Sequence, residues 1–256
     1  MAMWAEERQQ RILRVLKHSG RIEADALAAQ LDVSRETVRR DLLRLEGEGR
    51  IRRIHGGAVA LTPLIELPFR ARSIAQIEEK RRIAHSAIHL IGPGQSCFVD
   101  AGTTTTAFAL ELARIPNIVV ITNGLDIATT LRGGSAEVEV ILLGGFLGTE
   151  VPATFGELTI EQIARFRVDL AFVSPVAIHP RQGVTYFQVR EAEVARTMFA
   201  HASTRIILAD HTKLGEASRV VACSCRQVDA LVTDAEDAEA TFCDAGIGQI
   251  LLARDP

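Results

Sequence analysis

"SRETVRRDLLRLE", Ser34 to Glu46, sets Val38, Leu42 and Leu45 at i, i+4 and i+7 behind a serine, the spacing and the cap of an amphipathic helix. Arg35, Thr37, Arg39, Arg40 and Arg44 fall mainly off that apolar stripe, so guanidiniums and a hydroxyl project from the opposite surface. Guanidiniums pair with phosphates and read guanine edges bidentately, and a helix N-terminus donates to a nucleic-acid backbone. Glu36, Asp41 and Glu46 interleave with the arginines, a pattern that also suits a merely solvated face, so the flanking sequence has to decide.

Upstream, Ile12, Leu13 and Leu16 lie at helical spacing between Glu6 and His18, and Gly20 ends that helix. "EADALAAQ", Glu23 to Gln30, reads as a short second helix with Leu27 and Leu31 inward, and "LDVS" as the turn after it. Downstream, "GEGRIRRIHGGA", Gly47 to Ala58, reads as a turn, a short strand and a second turn carrying Arg50, Arg52, Arg53 and His55. Three helices and a basic hairpin describe a winged helix-turn-helix, for which a solvated face gives no account. A plain turn role for His55, before Gly56 and Gly57, stays open.

"LDVSRETVRRDLLRLEGEGRIRRIHGGA" resembles the signature of the DeoR family of bacterial transcription regulators: VS, two residues, T, an aliphatic, RRDL, two residues, LE, then R, a residue and HGGA. The resemblance implies that Ser34, Thr37, Arg39 and Arg40 contact operator DNA from the recognition helix, and that Arg53 and His55 belong to the wing.

Charge and length fit a small head on a larger body. Residues 1–60 carry 12 Lys and Arg against 9 Asp and Glu, and residues 61–256 carry 17 against 23, so a basic segment precedes an acidic one. With 256 residues and 47% hydrophobic content, a second, medium-sized core is affordable. The charged first twenty residues lack a signal-peptide core, and no apolar run approaches about 18 residues, so a cytoplasmic protein without a membrane partner is expected. Cys97, Cys223, Cys225 and Cys243 form neither a disulfide framework nor a CxxC metal pair, so reduced thiols and no metal or cofactor are expected.

"VALTPLIELPF", with two prolines and little charge, reads as an extended connector. The expected division is therefore a DNA-binding head over 1–60, a connector over 61–76 and an α/β body over 77–256. Helical periodicity resumes in "FRARSIAQIEEKRRIAHSAIHLI" and stops at "GPG". Beyond it, "SCFVD", "NIVVIT", "EVEVILL", "VDLAFVS", "RIILAD", "VDALVT" and "QILL" alternate with helical stretches, which predicts a mostly parallel, Rossmann-like sheet covered by helices. In such sheets ligands bind outside the carboxyl ends of the strands.

The residues at those ends are "DAGTTTT", "TNG", the pair Gly144 and Gly145, and "DHTKLG". Each alone is ordinary turn chemistry; together, on one sheet edge, they predict a polar pocket. "DAGTTTT" is neither a Walker A loop nor a dinucleotide fingerprint. The threonines, well placed in a first helical turn with its free amides, suit an anion; Gly102 admits close backbone approach; Asp100 suits sugar hydroxyls or the loop amides. Lys213 stands out in a chain with only three lysines, Lys17, Lys80 and Lys213, although a solvated lysine would look the same.

The body is also similar to the effector domain of the DeoR family, with its D, a residue, G, S or T, T loop, its TN and GG turns and its D, two residues, K, F or L, G turn. That implies a fold resembling ribose-5-phosphate isomerase, a phosphorylated sugar or polyol as effector, and Asp100, Gly102, Thr103, Thr104, Asn123, Gly145 and Lys213 as its contacts. Two departures bear on the ligand. Ser174 and Pro175 stand where relatives carry AFIG and another small residue, and Ala195 stands where relatives commonly carry lysine, with Arg190, Glu191 and Arg196 as candidate substitutes.

A transcription repressor of a carbohydrate or polyol operon is the expectation, acting as a homodimer or homotetramer so that two recognition helices meet adjacent half-sites. The alternative, an isomerase-like enzyme with an accessory head, requires a positioned acid or base. Where those isomerases carry a DGADE-type segment this chain has "VDLAFVS", retaining only Asp169, so no enzyme activity is expected.

Overall fold

The helix behind Ser34 spans Arg35–Gly47 in the computed structural model, which describes residues 5–47, 50–54, 56–60, 67–134 and 136–254. The chain divides into two units, Met1–Ile65 and Glu66–Pro256. In the first, α1 (Ala5–Ser19), β1 (Arg21–Glu23), α2 (Ala24–Leu31), α3 (Arg35–Gly47), β2 (Ile51–Ile54) and β3 (Gly57–Ala60) follow in order, and the strands pair as β1-β3-β2.

The expected stripe of α3 is the one that buries: Val38, Leu42 and Leu45 pack with Ile12, Leu16, Leu27, Leu31 and Ile51. Asp41 departs from the solvated reading. It is buried, receives the Arg8 guanidinium at 2.5 and 3.2 Å and the Gln9 amide at 3.1 Å, and so ties α1 to α3. That hydrogen bond raises the Arg8 pKa above its ordinary value. Strand β1, which the sequence reading did not anticipate, explains one glycine of the hairpin: a Cβ on Gly57 would stand 1.9 Å from the Ile22 carbonyl oxygen. Gly56 takes the left-handed φ of +81°.

The second unit begins with α4 (Phe69–Ile74) and α5 (Ile77–Ala87), separated by Ala75 and by Gln76 at φ +49°. The single helical stretch expected from Phe69 to Ile91 is thus two helices, and part of the 61–76 stretch is helical. Then come β4 (Ser96–Val99), α6 (Thr103–Leu112), β5 (Ile118–Thr122), α7 (Leu125–Arg132), β6 (Val138–Leu142), β7 (Phe146–Leu147), β8 (Thr154–Phe155), α8 (Glu157–Ile163) and β9 (Val168–Val173). They are followed by β10 (Ala177–His179), β11 (Gly183–Tyr186), α9 (Val189–Ala200), β12 (Ala202–Leu208), β13 (Val220–Cys223), β14 (Ala230–Thr233), α10 (Ala238–Asp244) and β15 (Gln249–Leu252).

All seven apolar runs become strands of one parallel sheet, ordered β15-β14-β12-β9-β4-β5-β6. Helices cover both faces, one core built around Phe98, Ile121 and Met198 and the other around Phe108, Phe172 and Leu208. The winding starts at β4 and proceeds outward to β5 and β6, then returns to β9 on the other side. A crevice must open between the carboxyl ends of β4 and β9, where the two crossover directions diverge. The antiparallel sheet β10-β11-β13 and the hairpin β7-β8 were not foreseen; both cap this end of the fold with strands too short to show a period.

Candidate functional site

On α3, Arg35, Arg39 and Arg40 have side chains 77, 62 and 78% exposed, and Arg44 is exposed as well. Acids hold them in place: Arg35 meets Asp25 at 2.8 Å, and Arg39 and Arg40 share Glu36 at 3.1 and 3.4 Å. Such exposed pairs are weak and exchange readily for phosphates. The Arg39 hydrogen bond, seconded by Arg40, lowers the Glu36 pKa. Ser34 caps the helix, its Oγ accepting from the Thr37 amide at 3.1 Å and lying 2.8 Å from the Thr37 hydroxyl. Arg53, on β2, faces Glu46 at 3.7 Å, and its amide donates to the same carboxylate. His55 lies outside the described residues.

In the body, a cavity open to solvent, about 360 Å³ with that solvent space included, lies at the β4–β9 switch point. Asp100 and Asn123 line it, with Arg72, Ser174, Tyr186 and Glu191 as further polar groups and Val151, Phe155, Val176 and Val194 as apolar wall. Asp100 is buried: one oxygen accepts from the Ser174 amide at 3.0 Å, the other from the Tyr186 hydroxyl at 3.2 Å. Burial pushes its carboxyl up to about 6, against the opposing pull of the Ser174 amide, Lys213 and the Tyr186 hydroxyl. Burial and the neighbouring Asp100 charge push the Tyr186 phenol well above its ordinary value.

The four threonines divide. Thr105 and Thr106 turn their hydroxyls back to the Gly102 carbonyl at 3.0 and 2.7 Å, whereas Thr104, fully buried in the first turn of α6, has a hydroxyl with no hydrogen-bond partner. Thr103 is buried beside it. Gly102 is closely surrounded, since a Cβ there would come within 3.1 Å of the Thr105 hydroxyl and 3.3 Å of the Ser174 Cβ. Asn123 is committed to bracing: its carbonyl accepts from the Ala101 amide at 3.1 Å and its amide donates to the Thr154 carbonyl at 3.0 Å. Gly145 is not brought to the cavity; a Cβ there would meet the Thr159 hydroxyl at 2.2 Å and the Phe155 carbonyl at 2.6 Å, so packing against α8 and β8 accounts for it.

Cations lie close to Asp100 and to the cavity wall. Lys213 donates to the Ser174 hydroxyl at 2.9 Å, so it reaches the cavity through a lining residue. Lys80 is buried, and its Nζ donates to the carbonyls of Arg72 and Ala75 at 2.5 and 2.6 Å. Burial brings Lys80 down to about 8; Asp210 opposes that fall, while Lys213 and Arg72 add to it. Two of the three lysines and Arg72 therefore form one positive neighbourhood, a natural complement for an anion.

Arg72 and Tyr186, both in the cavity lining, escaped the sequence reading, which had singled out Ser174 for the pocket wall. Tyr186 left one signal, being the only tyrosine in the chain. Of the candidate substitutes near Ala195, only Glu191 lines the cavity. Arg196 donates to the Ala222 and Val221 carbonyls of β13 at 3.0 and 2.6 Å, and Arg190 lies 5.0 Å over the Phe155 ring.

An exposed basic helix in one unit and a polar cavity at a strand switch point in the other fit the class of ligand-responsive transcription regulators. The DeoR-like helix-turn-helix domain matches residues 8–63, and the DeoR C terminal sensor domain matches residues 75–235. The HTH-type transcriptional regulator GolR of Listeria innocua is 35% identical, covering 96% of this chain and 98% of its own. The HTH-type transcriptional repressor GlcR of Bacillus subtilis is 36% identical over 94% and 93%, and the glycerol-3-phosphate regulon repressor of Escherichia coli 32% over 90% and 90%. The chain belongs to the DeoR family of transcription regulators, and the relatives it matches are named as regulators. Among solved structures, ribose 5 phosphate isomerase A from Neisseria gonorrhoeae is 12% identical, covering 57% of this chain and 56% of its own, with a TM-score of 0.41.

Proposed function

We propose that this regulator is a repressor of a carbohydrate or polyol operon, and that its effector is a phosphorylated sugar or polyol held at the β4–β9 cavity. The observation that carries this reading is a cavity lined by both Arg72 and the buried Asp100, with Lys213 one hydrogen bond away through Ser174. The cations suit a phosphate, and the carboxylate suits hydroxyls, which donate to it. The first turn of α6, with the unpartnered Thr104 hydroxyl, adds donors for the phosphate. The name of one relative, the glycerol-3-phosphate regulon repressor, supports the same ligand class.

Ser34, Arg35, Thr37, Arg39, Arg40, Arg44, Arg53 and His55 are the DNA-binding set. Of these, Ser34 orders the helix and the arginines carry the charge. Two copies, as a homodimer or within a homotetramer, present two recognition helices to an operator in the cytoplasm. No described helix is long and apolar enough to cross a membrane.

The effector acts through a difference in affinity between DNA-competent and incompetent arrangements, of about 1 to 3 kcal/mol in typical systems. Helix α4 is suited to report occupancy. Its Arg72 lines the cavity, Lys80 holds its carboxyl end, and residues 61–66 join it to the head.

Thermal-shift screening of glycerol 3-phosphate, pentose 5-phosphates and hexose 6-phosphates tests the reading. At least one compound should stabilise the wild type, and Lys213→Ala should respond less. A panel without a stabilising member overturns the effector class, and an equal response of Lys213→Ala removes that residue from the site.

A further inference from the structure

We infer that Glu191 determines specificity: with Asp100 it faces the carbon chain of the effector with two carboxylates, so the cavity accepts a phosphorylated sugar or polyol and rejects a phosphorylated sugar acid of the same length. The inference rests on the effector class proposed above. Asp100 and Glu191 arrive from distant parts of the domain sequence, one after β4 and one in the first turn of α9, and line the same cavity. Tyr186 stands with both, donating to Asp100 and lying within reach of the Glu191 charge.

Both groups are held for this task. The Ser174 amide and Tyr186 hydroxyl fix Asp100. Glu191 stands in the first turn of α9, and one of its oxygens is buried. Val151, Phe155, Val176 and Val194 keep the surroundings poor in water, which strengthens attraction and repulsion alike. A hydroxyl can donate to either carboxylate, whereas the carboxylate of a sugar acid has no proton to give and meets like charge. The cation nearest these acids within the lining is Arg72, which the phosphate already engages in the effector reading.

Isothermal titration calorimetry on the full chain tests this with matched pairs: glycerol 3-phosphate against 3-phosphoglycerate, D-ribose 5-phosphate against 5-phosphoribonate, and D-glucose 6-phosphate against 6-phosphogluconate. In whichever pair binds, the wild type should favour the partner without the carboxylate by about tenfold or more, as like-charge juxtaposition demands. Glu191→Gln, which keeps the shape and removes the charge, should narrow that ratio by strengthening the acid. Glu191→Ser serves the same purpose if the glutamine variant does not fold. Equal affinity of wild type for both members, or an unchanged ratio in the variant, overturns the role of Glu191 and leaves the effector class standing. No binding in any pair overturns the effector class, and this inference with it.

Discussion

The Nζ of Lys80, on α5, lies 2.5 Å from the backbone oxygen of Arg72, on α4. A buried ammonium thus holds the last turn of the helix whose guanidinium lines the cavity. Lys80→Met keeps much of the volume and removes the charge. The ratio of operator affinities without and with effector should fall toward one, because Arg72 is no longer held in register. Fluorescence anisotropy with labelled operator measures it, and a wild-type ratio would remove Lys80 from the coupling.

The Thr104 hydroxyl is buried and unsatisfied, which costs stability in the ligand-free protein. Thr104→Val should therefore stabilise the body by about 1 kcal/mol and weaken effector binding. Unfolding in urea and calorimetry read the two effects; a variant that is less stable, or that binds effector as wild type does, contradicts the phosphate role.

Asp100 sits at about 6 in the folded protein against an ordinary 3.8. Between those values the native state holds a proton that the unfolded chain has released, so this group's stabilising share appears as pH falls through about 6 and is complete at the unfolded value. Lowering the pH from about 7.5 to about 5 should stabilise wild type relative to Asp100→Asn. Lys80, held at about 8 against 10.5, has the opposite sign: its share of stability grows as pH rises between those values, above the range compared. Parallel denaturation midpoints of wild type and Asp100→Asn across the range would show that Asp100 titrates normally.

Arg40, 78% exposed on α3, should contribute one phosphate or base contact. Arg40→Ala should weaken operator binding and reduce the slope of log affinity against log salt by about 1. An unchanged affinity would place the DNA on another face.

At Gly57 a Cβ would collide with the Ile22 carbonyl at 1.9 Å, so Gly57→Ala must part β3 from β1. We expect a loss of head stability of about 1 to 3 kcal/mol and loss of operator binding with it. Amide exchange at Ile22 and Ala58 as slow as in wild type would show that the sheet tolerates the methyl group.

Much of the fold was legible because it is local. The stripe Val38, Leu42, Leu45 and the seven apolar runs declare helix and strand through the direction in which successive side chains point, and the winged head and parallel sheet follow. Asp41 shows the limit: its pattern looked solvated, and only Arg8 and Gln9, 33 and 32 residues away, make it a buried joint. The break at Gln76 is similar, since no proline or glycine marks it and the lysine that holds it comes from the next helix.

The sequence by itself determined the two kinds of domain, the basic recognition face and the polar turns at the strand ends, because those properties depend on residues a few positions apart. Tertiary structure alone decided which turns share a cavity. It paired Asp100 with Tyr186 across 86 residues and Ser174 with Lys213 across 39, left Gly145 to packing, and brought in Arg72, Lys80 and Glu191. The physical reason is the strand order: placing β9 beside β4 sets the ends of two distant strands around one crevice, a proximity that no local periodicity encodes.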